Sequence, residues 1–390
     1  MKHYVARAAL MLGNVVIGLS VLAPTGMLPE LAQGLHVGIR EGGLLVTYGA
    51  IVLCIGSPLV AWLTAHVDRR LLLTGSLGLV AVGQAASALA PDYTVILAVR
   101  LVMLAAAAVY TPQAAATVAM IVPERERASA IAFVFLGWTL TIAGGLPLVT
   151  LMATHFGWRA AFGALGVISA VGTLLLLAAL PSWLRGRALP LSGFSAIVRS
   201  RRILLILLLT LLQTSGQFTV FVYLAPLLFG LAGAGAGTIG AFFACYGVAG
   251  LFGNVAASAA VTPLGIQRTL ALFLGAVFAG LLLWSLGAGS LIVMSAGIAF
   301  WGLGFAATNS MQQARLAQAA PDFAGVAISL NTSVLYVGQA VGSGLGGVLF
   351  AAGLLHVMGY VGLAFLAAAC LLLAVTWVRE APLAEVSGAP

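Results

Sequence analysis

Charge is what this 390-residue sequence has least of: Lys and Arg number 17, Asp and Glu 9, and charged residues make up 7% of the chain. Soluble domains carry about 25%. That shortage excludes a soluble globular enzyme, and 62% hydrophobic residues exclude a disordered chain. Cysteine is also scarce. Cys54, Cys245 and Cys370 each sit in an apolar stretch, with neither a disulfide framework nor metal-ligand spacing. The five histidines (His3, His36, His66, His155 and His356) all avoid the deep apolar runs, which leaves no basis for a proton relay or a metal centre. A phosphate-binding loop is missing as well: Gly235–Gly240 (GAGTIG) spells a dinucleotide pattern without the strand that such a site needs. The net charge of +8 is not gathered into a basic face, so nucleic acid is not an expected partner.

What the sequence does have is long apolar runs. About 20 apolar residues cross a bilayer as a helix, the one open-ended structure that satisfies its own backbone in lipid. That template gives twelve spans, at about 7–29, 42–64, 71–90, 94–121, 130–153 and 160–180, then 203–229, 238–261, 269–288, 290–313, 326–351 and 358–378. The expected fold is an all-α membrane protein with twelve transmembrane helices in two six-helix bundles. Lys2, Arg7, Arg69, Arg70, Arg125, Arg127, Arg185, Arg187, Arg199, Arg201, Arg202, Arg268, Arg315 and Arg379 fall on one set of ends and loops. Only Arg40 and Arg159 fall on the other. Cytoplasmic loops carry such an excess, which orients both termini into the cytoplasm of a bacterial-type inner membrane. Pro181–Arg202, with five arginines and no acid, divides the chain into an N-terminal bundle (1–180), a basic linker (181–202) that can lie on anionic headgroups, and a C-terminal bundle (203–390). The halves read as weak repeats, each with a short basic loop after its second span: Ala65–Arg70 and Thr262–Arg268. Paired repeats around a midplane site are a layout of secondary transporters.

Several segments resemble the major facilitator superfamily, and within it the twelve-span drug:proton antiporter branch near the arabinose and sugar efflux permeases. They are Met27-Leu28-Pro29-Glu30-Leu31, Pro123–Ala128 (PERERA), Gly145-Leu146-Pro147, Gly157–Phe162 (GWRAAF), Tyr223–Leu227 (YLAPL), Gly253-Asn254 and Ser329–Gly347. The resemblance implies two halves rocking about a central cavity, no cofactor beyond a proton gradient, no enzymatic activity and a monomeric unit. It also departs from the family pattern. In the loop after span two, Ala61 and Ala65 replace the usual Gly and Asp and Asp68 is displaced, so that of the family's charged conformational latch only Arg69 and Arg70 remain.

Arg100 is the one charge well inside a span. Six residues from Thr94 at 1.5 Å place it roughly 9 Å below the outer surface. An Arg there costs about 2.5–3.5 kcal/mol on insertion scales, so it either faces a cavity or partner or snorkels to the headgroups. No acid lies inside a span. Glu30, closing span one, and Asp92, before span four, come nearest. Glu30 with Arg100 is the candidate coupling pair, the other reading of Glu30 being a solvated helix-end carboxylate. Uncharged candidates for substrate binding are Asn14, Tyr110, Gln113, Gln213, Gln217, Tyr223, Trp301 and Asn309, each also capable of merely joining helices. Gly338 and Gly342 form a small-residue stripe for helix packing, and Gly145 with Pro147 kinks span five, which resembles the motif of the superfamily's antiporters and also reads as a packing kink.

The expected activity is export of small neutral or weakly anionic amphipathic compounds, of drug or sugar type, by proton antiport. Uptake or uncoupled facilitation stays open because no embedded carboxylate is present. A transporter-like sensor or lipid-handling protein stays open on the basic linker.

Overall fold

The computed structural model describes residues 2–64, 66–182, 184, 197 and 199–386. Every regular element in it is helical. Most of the linker, with Arg185 and Arg187, lies outside the described residues, as does Ala65.

Among the described residues, eleven helices are long and apolar enough to cross a membrane. One of them, Ala236–Leu286, has 51 residues. At 1.5 Å per residue it would reach roughly 75 Å, more than twice a bilayer's hydrocarbon core. It is two spans. Gly265, at φ 76° and ψ 163°, turns the chain back between 236–264 and 266–286. That backbone suits glycine because it has no Cβ to clash, and Pro263 just before it withholds a backbone donor. Thr262–Arg268, expected as a loop, is therefore a tight kink. With it the count is twelve.

Span one is Lys2–Gly26, continued after Met27 by the short helix Leu28–Gly34. Spans two and three are Ile39–Leu63 and Arg69–Leu89. Span four is broken at Ala108-Val109 into Tyr93–Ala107 and Tyr110–Ile121. Span five joins Arg127–Leu140 to Leu146–Phe156 through a π-helical turn, Thr141–Gly145. Span six is Trp158–Ala179. Span seven, Arg201–Phe221, continues as Leu224–Ala232. The kinked pair forms spans eight and nine, Leu291–Ala319 is span ten and Ala324–Ala351 span eleven. Span twelve lies within Leu355–Val386.

The few polar residues at the helix ends start the helices. Asp68 accepts from the backbone N–H groups of Arg70 and Leu71 at the head of span three, and Asp92 accepts from Val95 N–H at span four. Asp92 is thus a cap. Ser200 does the same for span seven.

Spans one and seven lie deepest. In their most apolar stretches 67% and 72% of residues are buried, against 28% in span five and 39% in span six. The two halves meet along spans two and eleven and along spans five and eight. Thr47 Oγ1 and Ser343 Oγ are 2.8 Å apart across the first seam. At the second, a Cβ placed on Gly247 would stand 2.2 Å from the backbone nitrogen of Ala143. Gly43 is as close to Tyr223, its notional Cβ 2.1 Å from Oη. These approaches all lie in the part of the bundle away from the linker. That region is called the far end below, and the linker side the basic end.

Candidate functional site

Arg100 is fully buried at 0% exposure, so it does not snorkel. Its Nη2 donates to the Ser20 carbonyl of span one at 2.9 Å, and its guanidinium carbon stands 5.8 Å from the Phe162 ring centre. Gln84 of span three donates to Ser20 Oγ at 2.8 Å, which closes a small polar cluster inside the first half. Nε and Nη1 of Arg100 and Oε1 of Gln84 have no hydrogen-bond partner. A guanidinium has five donors, and leaving several unused in a buried site costs free energy. Such a group is set to recruit an acceptor.

The expected partner is elsewhere. Glu30 is half-buried at the far end and accepts from Thr154 Oγ1 at 2.7 Å, while its other oxygen is buried without a partner. Glu30 and Arg100 do not form an ion pair. Among the described residues the short pairs are Arg7 with Glu126, and Arg127 with Glu124 at 3.7 Å. The coupling pair is corrected accordingly: Arg100 leans on the carbonyl of Ser20, nearly three turns before Glu30, whose short helix starts only after the break at Met27.

The other candidates separate into two groups. In the first half Asn14 Nδ2 donates to the Val134 carbonyl at 2.9 Å and Asn14 Oδ1 accepts from Thr111 at 2.8 Å. Trp138 Nε1 reaches the same Thr111 hydroxyl at 3.3 Å. Tyr110 is fully buried with its hydroxyl 3.4 Å from the Leu10 carbonyl, and Gln113 is buried one turn along. In the second half Trp301 Nε1 donates to Gln217 Oε1 at 2.9 Å, and Gln217 Nε2 donates to the Gln213 carbonyl at 3.1 Å. The Gln213 side-chain oxygen is buried and unpartnered. Phe221, Tyr246, Phe305 and Trp301 pack ring to ring around this point, with centres 5.0–6.2 Å apart. Asn309 accepts from Asn331 at 3.3 Å, and Asn331 in turn accepts from Thr210 at 2.8 Å.

Tyr223 is placed differently. Its hydroxyl donates to the Ser343 carbonyl at 3.0 Å, so it belongs to the closed seam between halves. Gly338 and Gly342 lie against span seven, and a Cβ on Gly342 would stand 2.3 Å from the Ser215 carbonyl oxygen. Gly145 faces Leu19, and Pro147 lies 3.7 Å from a notional Cβ on Gly240 of span eight. Arg69 is buried, and its backbone N–H donates to the Leu184 carbonyl. Arg70 donates from Nε and Nη2 to the Leu177 carbonyl at 3.0 and 2.6 Å. The Arg70 side chain is thus bound within the first half, whereas Nε and Nη1 of Arg69 are buried without a hydrogen-bond partner.

Sequence reasoning passed over Gln84, Ser343, Asn331 and Tyr246. Tyr246 had a usable signal, since Phe242, Phe243 and Tyr246 fall at helical spacing. Gln84 had none, because one amide in a peripheral span has no local pattern.

A twelve-span helical bundle with polar groups held on its central helices has the architecture of a membrane transporter. The profile of the Major Facilitator Superfamily matches residues 10–343, and the chain belongs to that family. It is 28% identical over 374 residues to the inner membrane transport protein YdhP of Escherichia coli K12, covering 96% of both chains. It is 31% identical over 366 residues to the MFS-type transporter YtbD of Bacillus subtilis, covering 90% of both. Among solved structures, a D-xylose–proton symporter superposes with a TM-score of 0.75 at 16% identity, over 94% of this chain and 97% of that one. A bacterial homologue of the lysosomal transporter Spinster, inward-facing and unoccupied, gives 0.69 at 15% identity, over 96% and 95%. These two likenesses concern the fold. The protein is a multi-pass secondary transporter for small molecules.

Proposed function

We propose that the chain exports small neutral or weakly anionic amphipathic compounds in exchange for protons, as a monomer of the drug:proton antiporter branch. The observation that carries this reading is the break in span five. The π-helical turn Thr141–Gly145 stands directly on the seam with span eight, where Ala143 meets Gly247. A π-turn with two glycines and a following proline is a point where a helix bends with little lost bonding. Placed between two halves, it suits a rocking exchange of access. The domain division follows: bundles 1–180 and 203–390 move against each other, with 181–202 between them. If the basic end is cytoplasmic, the contacts at the far end close the outer side and the transporter faces inward.

The substrate class rests on what lines the central helices. Amides, hydroxyls and aromatic rings from Asn14, Tyr110, Gln113, Gln213, Gln217, Trp301 and Asn309 offer hydrogen bonds and apolar faces without an acid. An organic cation finds no counter-charge there, whereas Arg100 favours a neutral or anionic solute. Glu30 is the proposed proton carrier, since protonation would supply a donor for its unpartnered oxygen.

The test is flux in reconstituted vesicles with an imposed pH gradient. Coupled exchange predicts that solute movement reverses when the gradient is inverted, and that Glu30→Gln removes this dependence. Flux that ignores the gradient would sink the antiport reading in favour of an uncoupled facilitator, which the lack of an Arg100–Glu30 pair also favours.

A further inference from the structure

Spans two and eleven run antiparallel along the seam between the halves, and their facing residues come in register. Thr47 lies opposite Ser343, with 2.8 Å between the hydroxyl oxygens. One turn nearer the far end on each helix stand Gly43 and Gly347, and the phenol of Tyr223 fills the space at both. A Cβ on Gly43 would stand 2.1 Å from Tyr223 Oη, and one on Gly347 2.6 Å from the same atom. Any side chain at either position would take the place of the phenol tip.

That phenol is held from its own half on three sides. Its hydroxyl donates to the Ser343 carbonyl at 3.0 Å, and its ring stacks on Phe350 with centres 5.7 Å apart and planes at 22°. The Cε2 edge lies on the backbone of Gly346, where a Cβ would come within 2.9 Å. Tyr223 itself sits at the break of span seven, between Phe221 and Leu224, and is 0% exposed. With no room to turn aside, the side chain is a rigid projection of the second half. What it meets across the seam is Gly43 of the first half. A contact packed this closely tolerates added volume poorly.

We infer that Tyr223 and Gly43 are the bolt and socket of a gate at the far end. That end closes when the phenol enters the socket, and solute gains access to it only when the phenol leaves. Thr47 and Ser343, one turn deeper, close with the bolt. The inference goes beyond export by proton exchange: a transporter that opens alternately at its two ends must part this seam whichever way solute moves and whatever drives it.

The experiment reads opening of the far end in the purified full chain, without any solute, as the distance between two spin labels. The labels sit at Gln33→Cys and Ala352→Cys, both exposed at that end on opposite halves, with Cys54, Cys245 and Cys370 replaced by alanine. Gly43→Ala is expected to raise the ratio of long to short distances about tenfold, the scale of overpacking a close contact. Tyr223→Phe alone keeps the parent distribution. Added to Gly43→Ala, it removes the atom nearest the new methyl group and brings the ratio back several-fold. Tyr223→Leu withdraws the bolt instead of crowding the socket and also lengthens the distances, which keeps the test in force if Gly43→Ala does not fold. Gly344→Ala is the control on the same seam. Its Cβ would meet only Thr47 Cγ2, at an ordinary 3.6 Å, and the distribution stays at the parent. Short distances in both Gly43→Ala and Tyr223→Leu overturn the inference. So does a shift in Gly344→Ala as large as that in Gly43→Ala, or a shift in Gly43→Ala that Tyr223→Phe leaves unreduced.

Discussion

The two halves share one architecture and differ in what they hold at their centres. The first keeps a buried cation: Arg100 against Ser20 and Gln84, with two of its guanidinium nitrogens unpartnered. The second keeps amides and rings, Gln217 bonded to Trp301 within a cluster of aromatic side chains. The basic ends reverse this order. In the first half Arg70 is bonded to a carbonyl, and in the second Arg202, Arg268 and Arg315 line a cavity of ≈ 290 Å³. A buried charge is expensive in a membrane and tends to mark coupling or recognition. A neutral amide–aromatic surface discriminates solutes by shape. Under the proposed function, the contrast would divide the labour, with charge sensing in one half and solute fit in the other.

The largest expected effect breaks the motion that makes the two halves one machine. Cysteines at Thr47 and Ser343, whose hydroxyl oxygens are 2.8 Å apart, should form a disulfide across the seam. Oxidation is expected to stop vesicle transport and a reductant to restore it; the native cysteines are free, so the background is the unsubstituted chain.

Next comes the charge itself. Arg100→Met keeps the volume and removes the cation. Transport is expected to fall more than about tenfold, while Tm stays level or rises, because replacing a buried, under-satisfied charge by an apolar side chain is often neutral or stabilising. Unchanged transport would reduce Arg100 to a structural brace and erase the contrast.

On the other side, Gln217→Leu leaves Trp301 Nε1 unpaired, a loss of about 1–3 kcal/mol. Its expected signature is altered solute preference measured by competition, with the response to a pH gradient retained. The reverse pattern would mean that the labour is not divided this way. The smallest effect is Arg127→Gln. Its pair with Glu124 at 3.7 Å is exposed on both sides, so flux and stability should both stay at the parent level.

Much of the fold was legible in the sequence, and so was part of the site. Proline and glycine marked the bend in span five, and the stripe containing Gly338 and Gly342 marked a close helix contact. What stayed hidden was which polar groups meet. Asp92 read as an acid near membrane depth and is a helix cap. Tyr223, a candidate for substrate contact, bonds to Ser343, 120 residues away. Thr262–Arg268 read as a loop because hydropathy falls there, whereas Gly265 turns the chain inside a single residue.

The sequence alone determined the all-helical, many-span architecture, because hydrophobic length is a local property. Tertiary structure decided that Arg100 rests on a span-one carbonyl 80 residues away rather than on Glu30. It also brought together the ends of three helices to make the arginine-lined cavity. Both outcomes depend on how each helix is rotated and kinked against its neighbours. In a chain that is apolar nearly all round, no single helix carries a pattern strong enough to state that rotation.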